Sequence, residues 1–218
     1  MSIVCRLVLP FTLLLYTCGP APEIREETDA AGYRTEYQVS AETGEREGFS
    51  KRYDPAGNLI SEEMYAGGAL EGQRTAYYPD GKVEIIENYR GGQFDGDYIT
   101  YDSSGNLRLH GQYREGIMSD DWIRYWPNGR VREVVAVSEN KENGPFREWY
   151  ENGQPRAAGT YVGGKENGTL WQFDEQGTLI AVRDCEDGIC LARWKAEEGG
   201  EAPEAAPDME RPPDLTES

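Results

Sequence analysis

Two glycine series set the frame of this chain. Gly57, Gly81, Gly105, Gly129, Gly153 and Gly177 recur every 24 residues without exception. A second series, Gly44, Gly68, Gly92, Gly116, Asn140, Gly164 and Gly188, keeps the same interval of 24. A fixed period of this length is the signature of tandem structural repeats, each packing on its neighbours. The one departure, Asn140, is informative, because Asn is among the few other residues that tolerate positive φ. The whole series therefore serves a left-handed backbone turn.

A third series, Gly48, Gly72, Gly96, Asp120, Gly144 and Gly168, opens six full units. Aromatics follow at Tyr53, Tyr77, Tyr101, Tyr125, Trp149 and Phe173. Further on come Leu59, Val83, Leu107, Val131, Pro155 and Leu179, and then Tyr65, Tyr89, Tyr113, Val137, Tyr161 and Cys185. Gly67-Gly68, Gly91-Gly92, Gly163-Gly164 and Asp187-Gly188 read as two-residue type I′ hairpin turns, which need positive φ at both positions. Pro55-Ala56-Gly57, Pro79-Asp80-Gly81 and Pro127-Asn128-Gly129 read as three-residue loops, with Pro presetting a type I turn and Gly taking the left-handed place. That register sets Tyr53 opposite Leu59 and Tyr77 opposite Val83. The expected fold is all-β: tandem hairpins of 24 residues in one long, twisted antiparallel meander. Its aromatic series should share one packed face.

The repeat region is expected over Tyr33 to Trp194. Before it, Arg6 precedes the apolar run Leu7 to Tyr16, too short for a membrane helix and fitted to a signal-peptide core. The run ends in Leu15-Tyr16-Thr17-Cys18-Gly19, similar to a bacterial lipobox. The reading is a signal peptide over 1–17, lipidation at Cys18, and an acidic, proline-containing tether over 18–32. Multiple acyl chains would hold such a protein on a membrane stably. Residues 195–218 lack apolar periodicity and are strongly acidic, so a disordered, solubilising tail is expected.

The unit that reads Gly96-Asp97-Tyr98-Ile99-Thr100-Tyr101 with Gly105 and Leu107 recurs as Gly144-Pro145-Phe146-Arg147-Glu148-Trp149 with Asn152-Gly153. It resembles the MORN-repeat variant of bacterial proteins in the YwqK antitoxin-like family. The resemblance implies the hairpin fold and a scaffold or membrane-associated role. It offers no catalytic motif, and its label implies an antitoxin or immunity protein masking a toxin. That is the alternative to an exported scaffold binding a protein or glycan partner at the bacterial cell envelope, on the outer membrane.

A formal net charge of −18 disfavours phosphate-rich partners, so nucleic acid is not expected, and membrane contact is expected only through the lipid anchor. No nucleophile–base signature, phosphate loop, dinucleotide fingerprint or Cys/His metal cluster is present, so neither an enzyme, a cofactor nor a metal is expected, and the chain reads as a monomer. The lone histidine, His110, reads as a strand residue with a structural role. Abundant carboxylates leave a hydrolase with a paired-acid site as a further reading. The candidate binding residues are Tyr78, Trp126 and Tyr150, which directly follow the core aromatics. The fourth unit departs from the pattern at Asp120, Glu133, Val137 and Ser138 to Asn143, which reads as repeat drift. In the last hairpin, Asp187-Gly188 is the turn, so Cys185 faces Cys190 at a non-hydrogen-bonded site, close enough for a disulfide.

Overall fold

The computed structural model describes residues 3–8, 15–202 and 206–210, with side chains from residue 20 onward. It is all-β; among the described residues the one helical element is the single turn Ala196–Glu198. The chain divides into two compact units. The first is Met1–Val83 with Asn88–Gln93, and the second is Glu84–Glu87 with Phe94–Ser218. Ile3–Val8 and Leu15–Pro20 pair as a separate two-stranded hairpin.

Every two-residue turn has positive φ at both central positions, from Gly67 and Gly68 at 56° and 82° to Glu139 and Asn140 at 53° and 63°. Asn140 thus takes the left-handed place its series requires. These turns also bind successive repeats together. The Gly68 N–H donates to the Arg46 carbonyl at 3.0 Å, and Gly116 and Gly164 repeat the bond to Phe94 and Glu142 at 2.8 Å. At the opposite sheet edge, the Asp54 N–H donates to the Asn58 carbonyl and the Gly57 N–H to the Asp54 carbonyl, both at 2.9 Å. That is the three-residue loop with Gly57 left-handed at φ 90°, and Tyr53 faces Leu59 beside it.

The third glycine series has its own geometry. Gly48, Gly72, Gly96, Asp120, Gly144 and Gly168 all have positive φ, inside or at the start of strands. Pairing slips beside several of them, as between His110↔Ile123 and Gln112↔Ser119 around Asp120. Each is a bulge that bends the strand and re-aims the side chains beyond it.

In the first unit, Glu23–Thr28 pairs with Arg34–Val39, Arg34–Val39 with Arg46–Tyr53, and Arg46–Tyr53 with Leu59–Ala66. Ala69–Leu70 and Gly72–Tyr77 continue the meander. The expected tether thus supplies a strand over Glu23–Thr28, with every residue exposed. The interior here is small and mostly polar: among the described residues, Val39, Ser50, Ser61 and Thr75 are the buried ones. Around them runs a ladder of charge on aromatic rings. The Arg34 guanidinium lies 4.0 Å from the Tyr53 centroid, and Arg46 stands 4.6 Å from Tyr37 and 5.2 Å from Tyr65. Glu62 accepts from Lys51 at 2.7 Å and from the Tyr77 hydroxyl at 2.8 Å.

The second unit carries Gln93–Tyr101 from Phe94 onward, then Leu107–Arg114, Ile117–Tyr125, Val131–Ser138, Lys141–Trp149, Pro155–Val162, Gly168–Phe173, Leu179–Glu186 and Ile189–Lys195. Its core is apolar, in two clusters rather than one shared aromatic face. Trp122, Val135, Val137, Phe146 and Ala157 pack with Tyr98, Tyr113, Tyr161 and Leu170. Tyr125, Val131, Val134 and Trp149 pack with Leu107, Ile123 and Met209. Strand alternation explains the split: Trp122 and Tyr125, like Phe146 and Trp149, lie three residues apart beyond the bulge and so point to opposite faces. The aromatics two places after the third-series residue, Tyr98, Trp122 and Phe146, thereby become the centre of the first cluster. Met209 corrects the picture of a wholly disordered tail, because it packs into the second cluster.

Candidate functional site

The residue that opens each three-residue loop takes one of two forms. Where it is Asp, its carboxylate folds back on its own loop. Asp54 accepts from the Asn58 N–H at 2.8 Å, Asp102 from Ser104 at 2.8 Å, and Asp174 from Thr178 at 2.8 Å. These bonds hold the Asp54 and Asp102 carboxyls below their ordinary pKa, led by the Asn58 side-chain bond in the first and the Asn106 backbone N–H in the second. Where it is Trp126 or Tyr150, the side chain reaches the next unit instead. The Trp126 Nε1–H donates to the Trp149 carbonyl at 3.0 Å, and the Tyr150 hydroxyl to the Phe173 carbonyl at 2.9 Å.

In those loops an Asn takes over the local capping. Asn128 and Asn152 accept from the Arg130 and Gln154 N–H groups at 3.0 and 2.9 Å. Their amides also donate to the Glu151 and Glu175 carbonyls at 3.1 and 2.8 Å. Trp126 and Tyr150 are therefore half-buried staples between repeats and, on their open side, the wall of a shallow shelf with Glu151, Asn152 and Glu175. The Arg132 guanidinium already lies 5.0 Å from the Trp126 ring centroid. An aromatic wall with an acidic rim suits a cationic side chain or the apolar face of a sugar. Tyr78 holds the corresponding half-buried place in the first unit, where the Gly81 N–H donates to its carbonyl at 2.9 Å. The structure brings Trp126 and Tyr150 together on one shelf; Tyr78 belongs to the other unit.

A second cluster crosses the fourth and fifth repeats. Arg124 bonds the buried carboxylate of Glu133 and lies 3.4 Å from Glu142. Glu133 stands in cross-strand register with Glu148, which Arg156 approaches at 3.4 Å. Burial pushes the Glu148 carboxyl above its ordinary pKa, opposed by Arg156 and reinforced by Glu133. Arg124 serves Glu133 and Glu142 while Arg156 serves Glu148, as in a structural ion-pair ladder, and Glu133, the oddity of the fourth unit, is the strut of that ladder. A raised carboxyl in the fold means that Glu148 favours folding most below its unfolded pKa. That contribution is lost as pH rises through the folded value. We expect Glu148→Gln to raise the stability of the second unit at pH 7 by on the order of 1 kcal/mol and to leave it unchanged at pH 4. Urea titrations at the two pH values measure this; a stability loss at pH 7 would show that the Arg156 pair outweighs burial.

The structure also places the other residues singled out in the sequence. Cys185 and Cys190 are joined by a disulfide across the last turn, with Cα atoms 4.0 Å apart and Glu186 opposite Ile189. His110 bonds Asp97 at 3.0 Å, and this bond leads the causes that hold the Asp97 carboxyl low. The Cys18 side chain lies outside the described residues. Among the described residues, no group of three or more His, Cys, Asp or Glu is placed to hold a metal ion. Sequence reasoning missed the pairing of the loop-opening aromatics Trp126 and Tyr150 with an Asn two places on, where Tyr78 has Asp80 instead. That signal is in the chain, as Trp126-Pro127-Asn128 and Tyr150-Glu151-Asn152 against Asp54-Pro55-Ala56.

Fold and site define a tandem β-hairpin repeat protein. A family model, the MORN repeat variant, matches residues 70–90, 94–115 and 142–162, each within the repeat region. Repeats of this kind are generally non-enzymatic and serve binding. No curated protein matches the chain.

Proposed function

We propose that this chain is a non-catalytic scaffold, exported and lipid-anchored through Cys18 at the bacterial cell envelope, that holds a partner on the Trp126–Tyr150 shelf. The observation that carries the reading is the shelf itself: two aromatic walls fixed by hydrogen bonds to the next repeat, with the exposed acids Glu151 and Glu175 beside them. Arg132 against Trp126 shows that this ring accepts a guanidinium, so a basic segment of a partner protein fits best. A glycan stacking on the same rings is the other occupant the chemistry allows.

The test places a photo-crosslinking residue at position 176, the exposed neighbour of Glu175, in the full chain in cells. One partner is expected to crosslink, and Glu151→Lys with Glu175→Lys should cut the yield at least tenfold. Those substitutions spare the staples, which use the backbone carbonyls of both residues. Undiminished crosslinking would remove the shelf as the site. Palmitate labelling of the wild type, abolished in Cys18→Ala, tests the anchor independently; equal labelling of the two would reject it.

A further inference from the structure

Residues 206–210 of the tail lie against the second unit. Ala206, Pro207 and Met209 are half-buried while Asp208 and Glu210 are exposed, and the Glu210 N–H donates to the Asp208 carboxylate at 3.0 Å. Met209 packs into the cluster of Tyr125, Val131, Val134 and Trp149, with Leu107 and Ile123 at its margin. The Trp149 Nε1–H donates to the Met209 backbone carbonyl at 3.2 Å. Trp149 is 1 % exposed, and its one polar atom faces the tail. The indoles of Trp122, Trp171 and Trp194 are also buried at nitrogen, yet without an acceptor. The Trp149 face is thus a built site: an apolar pocket that takes a flexible side chain, and a fixed donor that reads a main-chain carbonyl. Nothing in the repeat pattern requires a segment from outside the repeats to fill it.

We propose that this face is a docking site for a partner peptide anchored by a methionine-like side chain, and that the chain's own tail occupies it in cis as an internal competitor. The inference deepens the binding reading but uses a different surface from the Trp126–Tyr150 shelf. Covalent tethering gives the tail an effective concentration in the millimolar range, so a partner engages only by displacing it. Binding strength is then set by the tail as much as by the groove.

The experiment uses the full chain as wild type and as Met209→Asp, with a fluorescent peptide of residues 202–213 as the probe. Anisotropy should show at least tenfold tighter capture of the peptide by the Met209→Asp chain than by the wild type. A probe carrying the same Met→Asp change should not be captured. Trp149→Phe in the Met209→Asp chain keeps an aromatic ring and removes the donor, and should weaken capture several-fold. Equal capture by the two chains, capture indifferent to the probe's methionine, or no capture at about 1 mM peptide would overturn the proposal. A wild-type dimer that Met209→Asp dissolves would assign the groove to a second copy's tail and overturn the arrangement in cis. Crosslinking at position 176 proceeds through the separate shelf, so a failure here leaves that result standing and a failure there leaves this one.

Discussion

Trp149→Ala is expected to lower the stability of the second unit by about 3–5 kcal/mol, the usual range for deleting a buried Trp or Phe ring. The ring is 1 % exposed between Tyr125, Val131 and Val134. Its removal leaves a cavity bounded by strands whose turns are already fixed by hydrogen bonds, so collapse is limited. The Met209 carbonyl also loses its donor. The Trp149 carbonyl survives the substitution, so the staple from Trp126 remains and the loss reads the ring alone. Repeat arrays lose stability locally, because each unit leans on its neighbours. Amide exchange should therefore speed in Val131–Ser138 and Lys141–Trp149 and stay unchanged in Arg46–Tyr53 and Leu59–Ala66. A uniform loss across both units, or one under about 1 kcal/mol, would show that the cluster is not a local core.

The periodic part of this fold was legible because positive φ is a demand on residue type. Gly57 and its successors, and Gly44 and its successors, mark turns that few other residues can make, and Asn140 confirms the rule by its exception. The register came from turn length, which sets Tyr53 against Leu59 and Cys185 against Cys190. The first strand was hidden by a change of one residue in the period. Asp29 and Gly32 form the same loop as Asp54 and Gly57, but lie 25 residues before them (54 − 29 and 57 − 32), not 24. The third glycine series was visible, yet its meaning was not, since a bulge differs from a turn only in what the partner strand does. Tyr98 and Phe146 therefore entered as part of a motif and not as core, and Trp122 did not enter at all. Met209 could not be read at all: its role rests on a contact with Trp149 60 residues away, which no local pattern encodes. For the site, the aromatic character of Trp126 and Tyr150 was plain, but their hydrogen bonds to the next repeat need the register of two units at once.

Gly111→Val is expected to cost about 3 kcal/mol, the upper end of what overpacking a filled core usually costs. Gly111 is no turn residue and has no positive φ; it lies opposite the bulge around Asp120, where pairing slips between His110 and Gln112. It lies in Leu107–Arg114, in register with Tyr98, on the face where Trp122 lies flat against the sheet. A Cβ there would fall 2.3 Å from Trp122 Cδ2 and 2.4 Å from Cε2, inside any tolerable contact. Trp122 cannot step aside, because Tyr98 stacks on it at 5.8 Å and Tyr113 meets it edge-on at 5.4 Å. Gly159 repeats the arrangement two units on: a Cβ there would lie 2.8 Å from the ring of Phe146. Here the missing side chain is what the neighbouring aromatic fills. Gly116→Ala is the control, with open space at its Cβ and φ +80°, so it reads backbone strain alone at about 1 kcal/mol. A double-mutant cycle isolates the steric part. In a Trp122→Leu background the same Gly111→Val change should cost less than half as much, because the smaller side chain leaves room for the methyls. Equal costs with and without the indole would mean that Gly111 is required by the backbone and not by the ring that covers it.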